Sequence, residues 1–277
     1  MKTFLVPVEL HDAMLPALDT ALALARRTGA ALHGFPLAAL AYPLSSAEVL
    51  GGLVWTEPSG GDREHAAKSR LIWDTFMRER GVPALTDGIE GPAWAWRPEV
   101  GDDLFLGSHG RGHDLTVVAR PSREGGGPRL ATFESALFET GRPVLVAPHR
   151  APPGIATCVV VAWNGSTETA RAVAFALPLL READHVAVLG VEGGMVPGPG
   201  TDEIAAYLAR HGIRAEVENA AARGRSAGER ILERAAAHGC DLLIKGAYTQ
   251  SRLRQMIFGG ATSHVLAHAE VPVFMAH

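Results

Sequence analysis

The residues of this chain with the clearest chemical potential lie in its C-terminal stretch, where a short apolar run meets glycines and hydroxyl side chains. Residues 242–244 (LLI) are short enough for a strand buried on both faces, and Gly246 ends that run. A basic loop then leads to Gly259, Gly260 and a helical segment. A glycine-bearing loop that ends at a helix N-terminus leaves backbone N–H groups unpaired and a partial positive charge exposed. The pattern therefore predicts a site for an anion such as phosphate.

The elements that must position this site alternate between strand and helix. We expect strands at residues 159–164, 185–191 and 214–217, and helices at residues 202–210 and 227–238. Such alternation is typical of a parallel sheet with right-handed crossovers. Ligands of such sheets bind beyond the carboxyl ends of the strands, where the strand order reverses.

The same plan occurs twice along the chain. Residues 4–9 (FLVPVE) precede a helical run, as residues 159–164 (VVVAWN) do, and residues 114–120 (DLTVVAR) parallel the segment that starts at Asp241. The linker is expected at residues 149–154 (HRAPPG), where two prolines and a glycine interrupt regular structure. We predict an α/β protein of two tandem doubly wound parallel-sheet domains, residues 1–149 and 155–277.

The spacing around Gly246 resembles the nucleotide-binding signature of the universal stress protein family. Gly246 is followed by two residues, then Thr249, nine more residues and Gly259, although Thr249 replaces the family's second glycine and Gly260 stands where a small hydroxyl residue is expected. The resemblance implies five-stranded sheets with helices on both faces, of the adenine nucleotide alpha hydrolase-like or flavodoxin-like type. It also implies self-association through the last strand of each domain and a role in stress response, with at most a weak ATPase activity.

The family resemblance also implies which residues would hold ATP or AMP, with or without Mg²⁺. Asn164 ends the first strand of the second domain, where the family usually has an acid that contacts the sugar, and Val191 would offer backbone groups to the base. The residues expected near the sugar and the phosphates are Gly165, Lys245, Gly246, Thr249, Gly259, Gly260, Thr262 and Ser263. In the first domain Glu9 keeps the acid, but Pro121 cannot donate an N–H, so we expect that half to be mainly structural.

Two other functions are weighed against nucleotide binding. Residues 224–228 form G-x-S-x-G between a strand and a helix, the context of a hydrolase nucleophile, with Ser226 attacking and Asp241 and His264 assisting. The family resemblance instead makes Ser226 a helix cap. An interaction protein without nucleotide is the other alternative, and the departures at Asn164, Thr249 and Gly260 favour it.

Composition excludes several classes of protein. The net charge of −4 gives no reason to expect nucleic acid or an anionic membrane as a partner. Two cysteines, Cys158 and Cys240, are too few for a disulfide framework or a thiolate metal site. His109 and His113 are expected in a surface loop because glycines lie between them. No apolar run approaches the roughly 18 residues of a membrane span, and we expect a cytoplasmic protein.

Overall fold

The computed structural model describes residues 1–38, 60–87, 91–122, 126–247 and 260–277. Its first half contains five strands and four helices: β1 (Thr3–Val8), α1 (Met14–Thr28), β2 (Ala31–Pro36), α2 (Gly60–Glu79), β3 (Trp94–Trp96), α3 (Asp103–Gly110), β4 (Leu115–Ala119), α4 (Leu130–Glu139) and β5 (Val144–Ala147). Its second half repeats that order: β6 (Cys158–Trp163), α5 (Thr167–Glu182), β7 (His185–Val191), α6 (Thr201–Arg210), β8 (Glu216–Ala220), α7 (Ala227–Ala237), β9 (Leu242–Gly246), α8 (Ala261–His268) and β10 (Val273–Ala276).

All the strands belong to one ten-stranded sheet of order β3-β2-β1-β4-β5-β10-β9-β6-β7-β8. Each half therefore has the order third, second, first, fourth, fifth, and the strand order reverses beside the first strand of each half. The neighbouring strands are parallel except at the centre, where β10 pairs antiparallel with β5 and Phe274 faces Leu145. The last strands of the two halves thus pair with each other inside the chain, and self-association between chains stays a prediction. The domain boundaries at 149 and 155 stay a prediction.

Helices cover both faces of the sheet, as predicted. Alternate strand residues point to opposite faces, so Phe4 and Leu5 join different cores. One core packs under α1, α2, α5 and α6, and the other packs under α3, α4, α7 and α8. None of the helices in the described ranges combines the length and the apolar composition that crossing a bilayer requires.

An aspartate fastens the start of the first strand in each half. The Asp114 carboxylate accepts hydrogen bonds from the backbone N–H of Lys2 at 2.6 Å and of Thr3 at 3.1 Å. The Asp241 carboxylate accepts them in the same way from Thr157 and Cys158, each at 2.9 Å. These aspartates hold the amino ends of the central strands in register, at the edge of the sheet opposite the expected ligand.

Three details of the sequence interpretation are wrong. The strand expected at residues 214–217 is β8, Glu216–Ala220, which begins two residues later. His109 lies in helix α3 rather than in a surface loop, and the side chain of Asp102 caps this helix by accepting a hydrogen bond from Phe105 N at 2.8 Å. His113 is buried beside His33, with their ring centroids 5.0 Å apart.

Candidate functional site

A pocket opens at the carboxyl ends of β6, β7 and β9, the edge where the sequence places the ligand. Its open space, including the part in contact with solvent, is about 320 Å³. We call it the strand-end pocket; its described lining residues are Ala162, Trp163, Asn164, Leu189, Val191, Gly194, Ala227, Ile231, Lys245 and Ala261. A neighbouring hollow beyond β7 and β8 shares Val191 with it. Two of the lining side chains, Asn164 and Lys245, bring polar groups to a mostly apolar wall.

Asn164 connects the end of β6 to the start of α5. Its Oδ1 accepts hydrogen bonds from Ser166 N at 3.2 Å and from Thr169 Oγ1 at 2.6 Å. Ser166 is the N-cap of α5, and its hydroxyl oxygen accepts from Thr169 N at 3.2 Å. Asn164 therefore takes part in the capping network of this helix, a role that an acidic residue accepting the same hydrogen bonds could also fill.

Gly165 lies under the loop that follows β7. Its φ of +82° is in the left-handed region, and an added Cβ would lie 2.8 Å from Val196 O. Trp163 Nε1 donates to Pro199 O at 2.8 Å, and Val196 N donates to Asn164 O at 2.9 Å. Residues 196–199 thus close over the β6–α5 turn.

Gly246 allows β9 to approach the N-terminus of α5 closely. An added Cβ would lie 2.5 Å from Thr169 N and 2.8 Å from the Glu168 carbonyl carbon, both of them backbone atoms. Neither atom can move without displacing the first turn of α5. The packing of this helix on the sheet therefore explains the glycine, whether or not a ligand approaches it.

We expect Gly246→Ala to lower the free energy of unfolding by about 2 kcal/mol, the usual cost of forcing a methyl group into a packed core. Chemical denaturation followed by circular dichroism measures this change. Gly154→Ala is the matched control, because a Cβ at Gly154 meets its nearest neighbour only at 3.9 Å. Equal stability of the two variants would contradict the close-packing account.

Lys245 brings a positive charge into the site. The side chain is buried, and its Nζ donates to Gly246 O at 2.8 Å and to Thr262 Oγ1 at 3.0 Å. Loss of hydration lowers the pKa of Lys245 to about 8. Thr262 is in the first turn of α8, whose N-cap is Gly260, so the amine lies beside a helix N-terminus. In the described part of the chain no carboxylate contacts this amine.

The corresponding place in the first half is filled by an ion-pair network. Arg129 is the N-cap of α4, and its Nε donates to Glu9 at 2.9 Å while its Nη atoms form two 3.0 Å hydrogen bonds to Asp103. Thr132 Oγ1 donates to Glu9 at 3.1 Å. The corresponding positions of the second half are uncharged: Asn164 follows the first strand, Ala227 begins the third helix and Gly260 caps the fourth.

The two halves therefore differ in charge at this place, and the mainly structural role of the first half stays a prediction. Its own cation and acids satisfy one another, whereas the second half keeps a buried amine beside neutral groups. Arg120, which follows β4, donates from its guanidinium group to the carbonyl of Ala269 at 2.7 Å. This hydrogen bond ties the first half to the second.

Ser226 is a helix cap and not a nucleophile. Its hydroxyl oxygen accepts from Glu229 N at 3.3 Å, while Glu229 Oε2 accepts from Ser226 N at 2.7 Å, which completes a capping box for α7. Asp241, the proposed acid, lies at the amino end of β9 and binds the backbone of Thr157. In the described ranges no histidine is hydrogen-bonded to Ser226. The hydrolase interpretation is therefore wrong.

The described residues of the predicted site lie close together, but only some of them line the strand-end pocket. Asn164, Val191 and Lys245 line the strand-end pocket, and Thr262 joins it through Lys245. Gly165 and Gly246 lie behind the pocket as close-packing positions. Ser263 is half-buried in the first turn of α8. Thr249 and Gly259, together with Arg252 and Arg254, lie outside the described residues.

Sequence reasoning missed the apolar wall of the pocket. The described apolar residues that it did not assign to the site are Ala162, Trp163, Leu189, Ala227, Ile231 and Ala261. One signal could have found part of this wall. Ala227 and Ile231 are four positions apart at the start of a predicted helix, and therefore share one helix face.

The sequence comparison matches the second half of the chain, and the structural comparisons cover both halves. Residues 157–277 match the model of the universal stress protein family. None of the curated proteins compared with the chain matches it.

Among solved structures, the fold is similar to a universal stress protein from Archaeoglobus fulgidus, with a TM-score of 0.65, 14% identity and coverage of 99% of this chain and 97% of the other. A putative universal stress protein from Pseudomonas aeruginosa has a TM-score of 0.52, 16% identity and coverage of 99% and 92%. These identities carry the fold alone, over the full length. The match in sequence is therefore to residues 157–277, and the similarity over the full length of the chain is one of fold.

Proposed function

We propose that this protein serves in a stress response and binds an adenine nucleotide, ATP or AMP, at the strand-end pocket of its second half. The phosphates would lie beside Lys245 and the N-terminus of α8, and the base would lie toward Val191. The match of residues 157–277 to the universal stress protein family supports the stress-response role. The contacts around Lys245 support the nucleotide.

The observation that carries the nucleotide proposal is a buried amine with no carboxylate partner among the residues that the structure describes. Taking an ammonium group out of water is costly, and proteins usually offset that cost with a carboxylate. The two described acceptors of Lys245, Gly246 O and Thr262 Oγ1, are neutral. An anion held beside the amine and the unpaired N–H groups of α8 would offset the cost and would itself be stabilised. Phosphate fits both of these groups.

The remaining residues of the predicted site would contact the base, the sugar and the phosphates of the nucleotide. Val191 lies between the strand-end pocket and the neighbouring hollow, so a planar base there would meet apolar side chains. Asn164 and Gly165 would lie near the sugar, and Gly246, Gly260, Thr262 and Ser263 near the phosphates. Thr249 and Gly259 would complete the phosphate loop. Mg²⁺, where present, would arrive with the phosphates, because no carboxylate lies among the described lining residues of the strand-end pocket.

The same lining favours binding over hydrolysis. Hydrolysis of ATP requires a group that positions or deprotonates water. The described lining residues of the strand-end pocket include neither a carboxylate nor an imidazole. We therefore propose a nucleotide-binding protein with at most a weak ATPase activity.

We expect calorimetric titration with ATP and Mg²⁺, and separately with AMP, to give one site per chain. Lys245→Met should weaken binding at least tenfold, because a charge-assisted hydrogen bond to phosphate is worth about 1.5–3 kcal/mol. Lys68→Met is the matched control: Lys68 lies on the first half, is 59% exposed and pairs with Glu64. The Lys68→Met variant should bind ATP with the same affinity as the wild type.

Two outcomes would decide against this assignment. If the wild-type protein binds neither nucleotide at millimolar concentration, the nucleotide proposal fails. If Lys245→Met binds as tightly as the wild type, the nucleotide lies away from the strand-end pocket. Circular dichroism must show that the protein tested is folded before either conclusion is drawn.

The second candidate is an interaction protein of the same fold that binds no nucleotide. One observation favours it: the Asn164 Oδ1 that would meet the sugar is already hydrogen-bonded to Ser166 N and Thr169 Oγ1. The absence of ATP and AMP binding in the titration above would support this alternative.

A further inference from the structure

Two histidines and a glutamate converge at the edge of the sheet opposite the strand-end pocket. His185 begins β7, Glu216 begins β8 and His238 is the C-cap of α7. One possible ligand atom from each residue lies within 4.8 Å of those of the other two. Three separate elements of regular structure therefore bring metal-binding side chains to one point.

The spacing suits a single ion after small side-chain rotations. Zinc binds imidazole nitrogen and carboxylate oxygen at about 2.0–2.2 Å, so the donor atoms around one ion lie roughly 3–4 Å apart. His185 Nε2 is already 3.6 Å from Glu216 Oε2. The His185 and His238 rings are stacked, with centroids 5.8 Å apart and planes inclined by 25°. An ion between them would need no change of backbone.

A second layer of contacts holds His238 in place. Its Nε2 is 2.7 Å from Glu218 Oε2, and Glu218 also accepts from Arg234 Nε at 2.5 Å. The Cys158 thiol donates to the His238 carbonyl at 3.0 Å. A carboxylate that orients a histidine ring is the usual outer-shell partner of a metal ligand. Glu218 supplies that carboxylate here.

The cluster is open on its outer side. The side chains of His185 and Glu216 are 42% and 58% exposed, so an ion in solution can reach them and water can fill the remaining coordination positions. We propose that His185, Glu216 and His238 bind a divalent transition-metal ion, with Zn²⁺ the best match to imidazole and carboxylate donors. The bound ion would fasten the edge strand β8 to β7 and α7. This inference is independent of the nucleotide.

The test is calorimetric titration of untagged protein with ZnCl₂, together with a thermal melt with and without Zn²⁺. We expect one Zn²⁺ per chain and a higher melting temperature with Zn²⁺, because an ion that binds only the folded state stabilises it. Glu216→Gln keeps the shape of an exposed side chain and should weaken Zn²⁺ binding at least tenfold. His238→Asn should also weaken Zn²⁺ binding at least tenfold. Because His238 is largely buried, this variant could fail to fold, and Glu216→Gln is then the decisive variant.

The control is His268→Ala. His264 and His268 are stacked one helical turn apart on α8, with centroids 4.2 Å apart, and form another pair that could attract zinc. The His268→Ala variant should bind Zn²⁺ as the wild type does. Absence of saturable binding by the wild type, or binding that survives Glu216→Gln but is lost in His268→Ala, would overturn the proposal. In that case the cluster is a set of ion pairs.

Discussion

Arg129→Met should lower the free energy of unfolding by about 3 kcal/mol at pH 7, since removing one member of a largely buried ion pair leaves the other charge uncompensated. The Glu9 side chain is 10% exposed and loses its hydrogen bond from Arg129 Nε, and Asp103 loses both of its own. Chemical denaturation at pH 7 measures the loss. The loss of stability should leave the affinity for ATP unchanged, because the network of Arg129, Glu9 and Asp103 lies in the first half.

The pH dependence identifies Glu9 as the source of this effect. Burial by itself raises the pKa of Glu9, but the nearby His11 and the hydrogen bond and charge of Arg129 outweigh it, so the net pKa is below the ordinary value. A carboxyl group with a lowered pKa stabilises the fold above its unfolded pKa, and this contribution is lost as the pH falls through the folded value. The difference between the wild type and Arg129→Met should therefore shrink below about pH 4.

An exposed arginine provides the control for this prediction. Arg225 pairs with Glu233 at 2.8 Å, but the two side chains are 57% and 39% exposed. Arg225→Met should change the stability by less than about 1 kcal/mol, the usual range for a surface pair. A loss as large as that of Arg129→Met would show that the cause is arginine removal in general. A pH-independent loss in Arg129→Met would point to packing instead of charge.

Short-range rules predicted much of this fold from the sequence. Strand β7 was predicted with its observed bounds because the apolar run that defines it acts within a few positions. The start of strand β8 was predicted two residues too early. Its pairing with β7, a long-range contact, decides where it begins.

The candidate site was predicted less completely, because its chemistry depends on contacts between distant segments. The sequence identified Gly246 as a phosphate-loop residue, while the structure gives it a packing role against Thr169, 77 positions away. It named Lys245 as a source of charge but gave no sign that the amine would be buried. Burial follows from the approach of α8, and no local pattern encodes that approach. The Arg129 network was missed for the same reason.

Burial of Lys245 leads to the second large prediction: the wild type should gain stability relative to Lys245→Met as the pH rises. The pKa of this amine falls from its usual 10.5 to about 8 through loss of hydration. Between these values the unfolded chain binds more protons than the folded protein, so the folded state becomes more stable with increasing pH. The difference between a pKa of 10.5 and one of about 8 corresponds to roughly 3 kcal/mol. Below pH 8 the amine is charged in both states, and the cost of its burial is present in full.

Denaturation of both proteins at pH 7.5 and pH 10 tests this prediction, because other titrating groups cancel in the difference between them. The relative gain of the wild type should approach about 2–3 kcal/mol. A constant difference across this range would mean that Lys245 keeps an ordinary pKa and is better hydrated than its position indicates.

The same amine links stability to the proposed ligand. A phosphate beside it favours its charged form, so ATP binding at pH 9 should take up a proton in the wild type but not in Lys245→Met, and calorimetry in buffers of different ionisation enthalpy measures that uptake. Binding without proton uptake would place the phosphate away from Lys245 even if the affinity for ATP were high.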